Sequence, residues 1–196
     1  DPARRAEAAA GGAAAAQRLG MEAALQLESR ARSPKPVIAL ADGPAEGLGV
    51  GLFAACDLRV ATPAARFSLP EVRLGHAPSA AALALCAAVG PGPARRMMLT
   101  GETVEARAAH RLGLVHDLVE PDGLEAARVH LVESCLRGGP AALAATKDLL
   151  RVVADSPAGP DLLRFAAAHF GEILVSEEGQ GGLAAAAARR PPPWAD

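Results

Sequence analysis

The residues best suited to chemistry lie in one block, between Asp42 and Gly75. Within it, Gly47 and Gly49 follow the apolar run 37–41, and glycine lets a backbone turn sharply and lets another molecule approach closely. A helix that starts at such a turn leaves its first N–H groups unpaired, and these groups can stabilise a developing oxyanion. The same Gly-x-Gly pattern is found at ordinary strand-to-helix turns, so the glycines alone leave both interpretations open.

Glu71 is a further carboxylate of this block. Beside an apolar pocket it would be desolvated, which suits a group that carries protons; taken alone, it is better explained as an ordinary solvated acid of an exposed loop. Glu46 and His76 lie in the same block, but a turn acid and a surface-loop histidine are the simpler interpretations. The other histidines have no partner pattern for metal binding, so no metal is expected.

The order of residues in this block resembles the signature of the crotonase superfamily, also called the enoyl-CoA hydratase/isomerase superfamily. That signature is N-G-x-A-x-G-G-G-x-E-L-x-x-x-C-D, followed at a fixed distance by F-x-x-P-E-x-x-L-G. The corresponding residues run here from Asp42 through Cys56-Asp57 to Phe67–Gly75 without insertion. Four later segments are similar to other elements of the family, so that the resemblance covers nearly the whole chain from about Gln17: Leu99–Gly101, Ala108–Val115, Pro140–Lys147 and Gly182–Trp194.

The resemblance implies binding of coenzyme A thioesters and an enolate held between two backbone N–H groups. One of these donors corresponds to Leu48, with Gly47 and Gly49 beside it. Glu71 corresponds to the second of two family glutamates and is the expected acid/base, whereas Gly51 stands where the first glutamate would be. Because that position carries a carboxylate in family members, we expect Glu at position 51 to be tolerated by the fold.

A single carboxylate can move a proton between two carbons, so isomerisation and hydration both stay open as reactions. The loop around Pro78 resembles one form of the family's substrate loop, and Pro78 is expected to line the substrate site together with the glycines at positions 47, 49 and 51. Arg189 matches a family lysine that meets the CoA phosphates. The resemblance implies no cofactor beyond the coenzyme A of the substrate.

The second oxyanion donor of the family comes from an upstream A-G-A-D-like segment, which this sequence lacks. Residues 1–32 resemble the helix that follows that segment. We therefore expect the N-terminal strands and part of the CoA pocket to be missing, and these 196 residues alone to be unable to turn over an acyl-CoA.

The elements that must position the block are predicted from hydrophobic patterns. Apolar runs predict strands at 37–41, 58–61 and 66–69, the first of them buried on both faces, and a helix at 78–89. Residues 1–20 are predicted to be a mobile lead-in to a helix over 17–32, Thr103 to cap a helix that ends at Arg111, and a last helix to reach Arg190. Together with the resemblance, this order predicts an α/β fold: a partial crotonase-like ββα spiral core over residues 1–120, and a C-terminal helical subdomain over 121–196.

Composition excludes several other classes of protein. Apolar residues make up 51% and charged residues 21% of the chain, which is typical of a globular protein rather than a disordered one. The net charge of −2 offers no basic patch for nucleic acid, and the longest apolar run, 80–89, is too short to span a membrane. Three scattered cysteines without a pairing pattern predict a reduced, cytoplasmic compartment.

The sequence thus predicts an acyl-CoA enzyme of the hydratase/isomerase type, assembled as a homotrimer or a hexamer. The alternative is a non-catalytic homologue that binds CoA or serves as a structural subunit. Gly51 and the altered turn at 47–49 favour this alternative.

Overall fold

The computed structural model describes residues 2–195. Backbone contacts divide them into two units, one formed by residues 2–31 and 37–127 and the other by residues 32–36 and 128–195. Among the described residues, all strands belong to the first unit, and the second is helical. The predicted fold class, an α/β core with a helical C-terminal region, is confirmed, whereas the boundary at residue 120 stays a prediction.

The helices account for most of the described chain. In chain order they are α1 Pro2–Ala10, α2 Gly12–Ala31, α3 Leu48–Ala54, α4 Ser79–Val89, α5 Pro91–Thr100, α6 Ala106–Arg111, α7 Leu124–Leu136, α8 Pro140–Asp155, α9 Pro160–Val175 and α10 Glu177–Ala187. Short 3₁₀ turns span Pro70–Leu74 and Pro121–Gly123. No described helix is long and apolar enough to cross a membrane.

The strands form two small sheets in the first unit. They are β1 Ile38–Ala41, β2 Pro44–Glu46, β3 Leu58–Ala61, β4 Arg66–Ser68, β5 Val104–Glu105 and β6 Asp117–Leu118. One sheet has the order β1-β3-β6 with all strands parallel, and the other has the order β2-β4-β5, with β2 parallel and β5 antiparallel to β4.

Pairing of β2 with β4 brings the two halves of the chemistry-bearing block together. Glu46 lies opposite Ser68 in this pair, and the N–H of Gly47 continues the ladder by donating to the carbonyl of Ser68 at 2.9 Å. Phe53 of α3 and Phe67 of β4 are buried, with 5.0 Å between their ring centroids. The turn before α3 is therefore fixed beside the residues that follow β4.

Residues 2–31 form two helices, whereas the sequence predicted a mobile lead-in over residues 1–20, of which residue 1 lies outside the described residues. Alanine has the highest helix propensity, and it dominates both segments. Gly12, with φ of 78°, separates α1 from α2 in a conformation that favours glycine. The composition that suggested a flexible segment is the same one that makes it helical.

Three further details differ from the predictions. In β1, Ala41 is buried but Leu40 is 38% exposed, so the strand is not buried on both faces as predicted. Helix α6 begins after Glu105 rather than Thr103, since Val104 and Glu105 are held as β5 against β4. Helix α10 ends at Ala187 rather than Arg190.

Arg59 of β3 is a buried cation that ties several loops to the sheet. It is 8% exposed, and its guanidinium donates to the carbonyls of Ala54, Cys56, Gly113 and Leu114. One of its terminal nitrogens lies 2.8 Å from Nε2 of His116. A neutral imidazole with an unprotonated Nε2 can accept a hydrogen bond from this guanidinium nitrogen, whereas a protonated imidazole cannot. Burial, and next the charge of Arg59, lower the pKa of His116.

The lowered pKa of His116 predicts how acid weakens the fold. Because the folded-state pKa lies below the ordinary value of about 6.5, the unfolded chain takes up the proton first. The contribution of His116 to stability is therefore present above about pH 6.5 and is lost as the pH falls through the folded-state pKa. We expect His116→Gln to reduce the drop in Tm between about pH 7.5 and 5.5.

Thermal unfolding followed by circular dichroism across this pH range measures the effect. His130→Gln is the matched control, because His130 lies on α7 in the second unit, whereas Arg59 belongs to the first. The same pH dependence in wild type and His116→Gln would contradict the prediction.

Candidate active site

A cavity of about 790 Å³ lies within the first unit. Helices α1 and α2 form one part of its wall, and Leu48, Glu71 and the segment 76–81 form another. Most of the lining side chains are Ala and Leu, so the cavity is apolar apart from a few groups. Its charged or polar side chains are Arg4, Arg5, Glu22, Gln26, Glu71, His76 and Ser79.

Glu71 presents a buried carboxylate to this cavity. It belongs to the 3₁₀ turn Pro70–Leu74 and is 5% exposed. Its Oε2 has no hydrogen-bond partner among the described residues, and its Oε1 lies 3.5 Å from Nη2 of Arg5. An unpaired buried carboxylate oxygen is unfavourable for folding, so its presence calls for an explanation, of which a catalytic role is one. Within the described part of the chain, Glu71 is the buried acid of this cavity, and its Oε2 is unpaired.

Gly47 is the residue against which the Glu71 carboxylate rests. Its φ of 53° and ψ of −115° are accessible to glycine and strained for other residues. A Cβ at this position would also overlap Oε1 of Glu71. Both the backbone and the contact with Glu71 therefore require glycine here.

Leu48 begins α3 and lines the same cavity as Glu71. The N–H groups of Val50 and Gly51 both donate to the carbonyl of Gly47, at 3.1 and 3.3 Å. The N–H of Leu48 donates to no acceptor among the described residues. A backbone donor without a protein partner therefore lies in the same pocket as the buried carboxylate.

The structure brings one other predicted site residue to the cavity and leaves three elsewhere. Pro78 is buried, precedes α4 and lines the cavity. Gly49 lines a different cavity, of about 580 Å³, beside β1 and β2. Gly51 is buried between helices, and Arg189 lies in the second unit, exposed, with φ of 51°. The roles of these residues in substrate binding stay predictions.

Gly51 faces its neighbours too closely for a larger side chain. A Cβ there would lie 3.0 Å from both Cα and Cβ of Ala81 in α4, and 3.2 Å from Cδ1 of Leu27 in α2. This packing contradicts the expectation that Glu at position 51 leaves folding undamaged. We predict that Gly51→Glu lowers the free energy of unfolding by roughly 1–3 kcal/mol through overpacking, and by more through burial of a carboxylate.

Urea unfolding of the variant measures this loss. Gly49→Ala is the control, because Gly49 lies on the same helix as Gly51. Its new Cβ would lie 3.9 Å from Cβ of Ala45 in β2, which is an ordinary van der Waals contact. Equal stability of Gly51→Glu and wild type would show that α3 and α4 separate easily.

The two other titratable groups of the block are placed differently from Glu71. Glu46 is exposed at the end of β2 and does not line the cavity, as a turn acid would be. His76 is exposed, lines the cavity, and donates its backbone N–H to the carbonyl of Glu71 at 2.9 Å. The described residues contain no group of three or more His, Cys, Asp or Glu side chains that could hold a metal ion.

Arg5 is a charged residue of the cavity that the sequence analysis did not predict. It lies on α1, a segment that was expected to be mobile, and no motif marks it. The alanine-rich composition of residues 2–10 could have indicated it. That composition favours a helix, which gives Arg5 a defined place on α1.

Comparisons with known proteins identify the family of this chain. The family model described as enoyl-CoA hydratase/isomerase matches residues 6–196. A carnitinyl-CoA dehydratase from Citrobacter koseri is 34% identical over 164 residues, which are 82% of this chain and 63% of that protein. An (E)-benzylidenesuccinyl-CoA hydratase from Thauera aromatica is 35% identical over 162 residues, 81% of this chain and 62% of that protein. The chain thus spans less than two-thirds of the length of both relatives.

Solved structures show the same similarity. The structure of AtuE from Pseudomonas aeruginosa superposes with a TM-score of 0.94 and 36% sequence identity. The match covers 100% of this chain and 76% of that chain.

Proposed function

Because this chain belongs to the enoyl-CoA hydratase/isomerase family, we propose that it binds an acyl-CoA thioester in the cavity at Glu71 and moves a proton on the acyl chain. In this proposal Glu71 is the acid/base, and the N–H of Leu48 donates to the thioester oxygen when that oxygen becomes an enolate. No cofactor beyond the coenzyme A of the substrate takes part. A cytoplasmic location stays a prediction, and we further propose a place in fatty acid metabolism.

The observation that carries the proposal is the buried Glu71 carboxylate. Its Oε2 lacks a protein partner among the described residues, and it lines an apolar cavity together with Leu48. A carboxylate removed from water binds and releases protons on the acyl chain without competition from solvent. An amide N–H in the same pocket can stabilise negative charge on oxygen, which is the demand that an enolate makes.

For hydration, the proposed steps balance as follows. Glu71 accepts a proton from water as the water oxygen bonds to C3 of a 2-enoyl thioester. The electron pair of the double bond moves through C2 onto the thioester oxygen, where the N–H of Leu48 donates to it. Glu71 then returns the proton to C2, and the thioester carbonyl re-forms. For isomerisation, Glu71 takes a proton from C2 of a 3-enoyl thioester and returns it to C4.

Hydration and isomerisation can be separated with two substrates. A 2-enoyl-CoA loses its conjugated ultraviolet absorbance on hydration, whereas a 3-enoyl-CoA gains it on isomerisation. We expect at least one of these changes in the presence of an intact version of the protein, whereas the sequence predicts that residues 1–196 alone do not turn over an acyl-CoA. Absence of both, together with no detectable binding of a saturated acyl-CoA by calorimetry, would refute the proposal.

The second candidate function is a non-catalytic CoA-binding subunit. The observation that favours it is Gly51, which stands where the sequence resemblance places a glutamate and which the packing against Ala81 keeps small. Calorimetry distinguishes the two candidates, because binding of acyl-CoA without either absorbance change would support the subunit.

We also propose that the protein assembles as a homotrimer or as a dimer of trimers. Helices α8, α9 and α10 of the second unit expose large apolar side chains, which an interface would cover; among the described residues they are Leu150, Val153, Leu163, Phe165, Phe170, Leu174, Val175 and Leu183. Sedimentation velocity measures the mass of the assembly, and we expect Phe170→Asp to shift it toward monomer. A wild-type monomer at micromolar concentration would contradict the proposal.

A further inference from the structure

The guanidinium of Arg5 stands at the reactive end of the cavity. Its Nη2 lies 3.5 Å from Oε1 of Glu71, and it would lie 3.7 Å from a Cβ at Gly47, the residue before the Leu48 donor. The Arg5 side chain is 43% exposed and lines the cavity. A cation thus lies close to both groups to which the proposed function assigns the chemistry.

Arg5 has most of its hydrogen-bonding capacity left over. A guanidinium has five N–H donors in a planar fork that fits a carboxylate, and among the described residues Glu71 is the partner of Arg5. The neighbouring Arg4 also has one ion pair, between its Nη2 and Oε2 of Glu22 on α2 at 2.9 Å. Of the two arginines at the cavity, Arg5 is the one beside Glu71.

We propose that Arg5 is a specificity-determining residue that binds a second carboxylate, carried by the acyl chain of the substrate. This inference rests on the proposed function, because it takes the cavity as the acyl-CoA site. A neutral acyl chain offers nothing to the free donors of a guanidinium, and desolvating that cation beside it would be unfavourable. A carboxylate on the acyl chain would form a bidentate, charge-assisted pair with it.

The position of Arg5 favours an anion on the acyl chain over the phosphates of coenzyme A. Proton transfer requires Glu71 to reach C2 and its neighbours, within hydrogen-bonding distance. A group within 3.5 Å of Glu71 therefore meets the acyl chain. The phosphates are separated from the thioester by the length of the pantetheine arm.

Two acyl-CoA substrates of equal length test the inference. Glutaconyl-CoA has five acyl carbons and ends in a carboxylate, whereas 2-pentenoyl-CoA has the same number of carbons and is neutral. We expect Arg5→Gln to lower kcat/KM for glutaconyl-CoA by about ten- to a hundredfold, the usual range for a hydrogen bond to a charged group. The value for 2-pentenoyl-CoA should change little, and Arg5→Lys should recover part of the loss. Arg18→Gln is the matched control, because Arg18 is an exposed arginine of α2 that does not line the cavity.

The other outcomes of this experiment either overturn the inference or, where there is no turnover, are decided by binding. An equal loss with both substrates would show that Arg5 only positions Glu71, and no loss with either would show that it is uninvolved. If wild type turns over neither substrate, calorimetry with the saturated probes glutaryl-CoA and pentanoyl-CoA decides. Weaker binding of glutaryl-CoA alone by Arg5→Gln supports the inference without turnover, and equal binding by wild type and variant overturns it. No binding of either probe by wild type overturns the proposed function as well.

Discussion

Replacing Glu71 with Gln in an intact version of the protein lowers turnover of a good enoyl-CoA substrate by at least about a hundredfold, the usual contribution of a general acid/base. The amide has nearly the shape of the carboxylate but cannot accept and return a proton. Because Glu71 is 5% exposed and its Oε2 lacks a partner among the described residues, loss of the charge should not reduce stability. The expected signature is therefore a large fall in kcat with an unchanged or raised Tm.

Glu46→Gln is the control for this substitution. Glu46 belongs to the same glycine-punctuated block, but it is exposed and lies outside the cavity wall. Near-normal turnover by Glu71→Gln, or an equal loss in Glu46→Gln, would remove Glu71 from its proposed role.

Gly47→Ala is expected to impair both the fold and the chemistry. The positive φ of Gly47 makes any L-residue strained there, by about 1–3 kcal/mol. In addition, the new Cβ would overlap Oε1 of Glu71, so the carboxylate must move. Displacing a reacting group by about 1 Å can lower the rate about a hundredfold. We therefore expect a lower Tm and a loss of turnover close to that of Glu71→Gln.

Gly113→Ala separates the two effects of this substitution. Gly113 also has a positive φ, of 81°, but its nearest neighbour is the carbonyl of Ala88, at 3.8 Å from a built Cβ. This variant should lose stability while keeping its turnover. Full activity of Gly47→Ala would show that Glu71 adjusts without loss, and hence that its position is not critical.

The centre of the fold was predictable because its elements are local patterns. The apolar β-branched runs at β1 and β3 are strands in the structure, and the glycines before α3 mark a sharp turn. The approach of Gly47 to Glu71 follows from the pairing of β2 with β4, although the sequence did not predict β2 itself. Pro44 and a glycine on either side of this short strand hide it from propensity arguments.

What the sequence did not predict depends on neighbours. The apolar run of β1 indicates a strand but not what packs against each of its faces, so the exposure of Leu40 was unexpected. The side of Gly51 that meets α4 is set by how two helices cross, which no spacing within α3 reveals. Arg5 reaches Glu71 only because α1 folds back along α2, a contact between residues that are distant in sequence.

The exposure of α1 has a consequence for how the cavity opens. None of its described side chains is buried, and a nine-residue helix is only marginally stable by itself in water. Local unfolding of such a segment needs far less free energy than unfolding of β3 or α4, so its amide protons should exchange with solvent first. The wall that carries Arg5 can therefore come away and re-form while the remainder of the first unit stays folded, and a ligand held by Arg5 would slow that exchange.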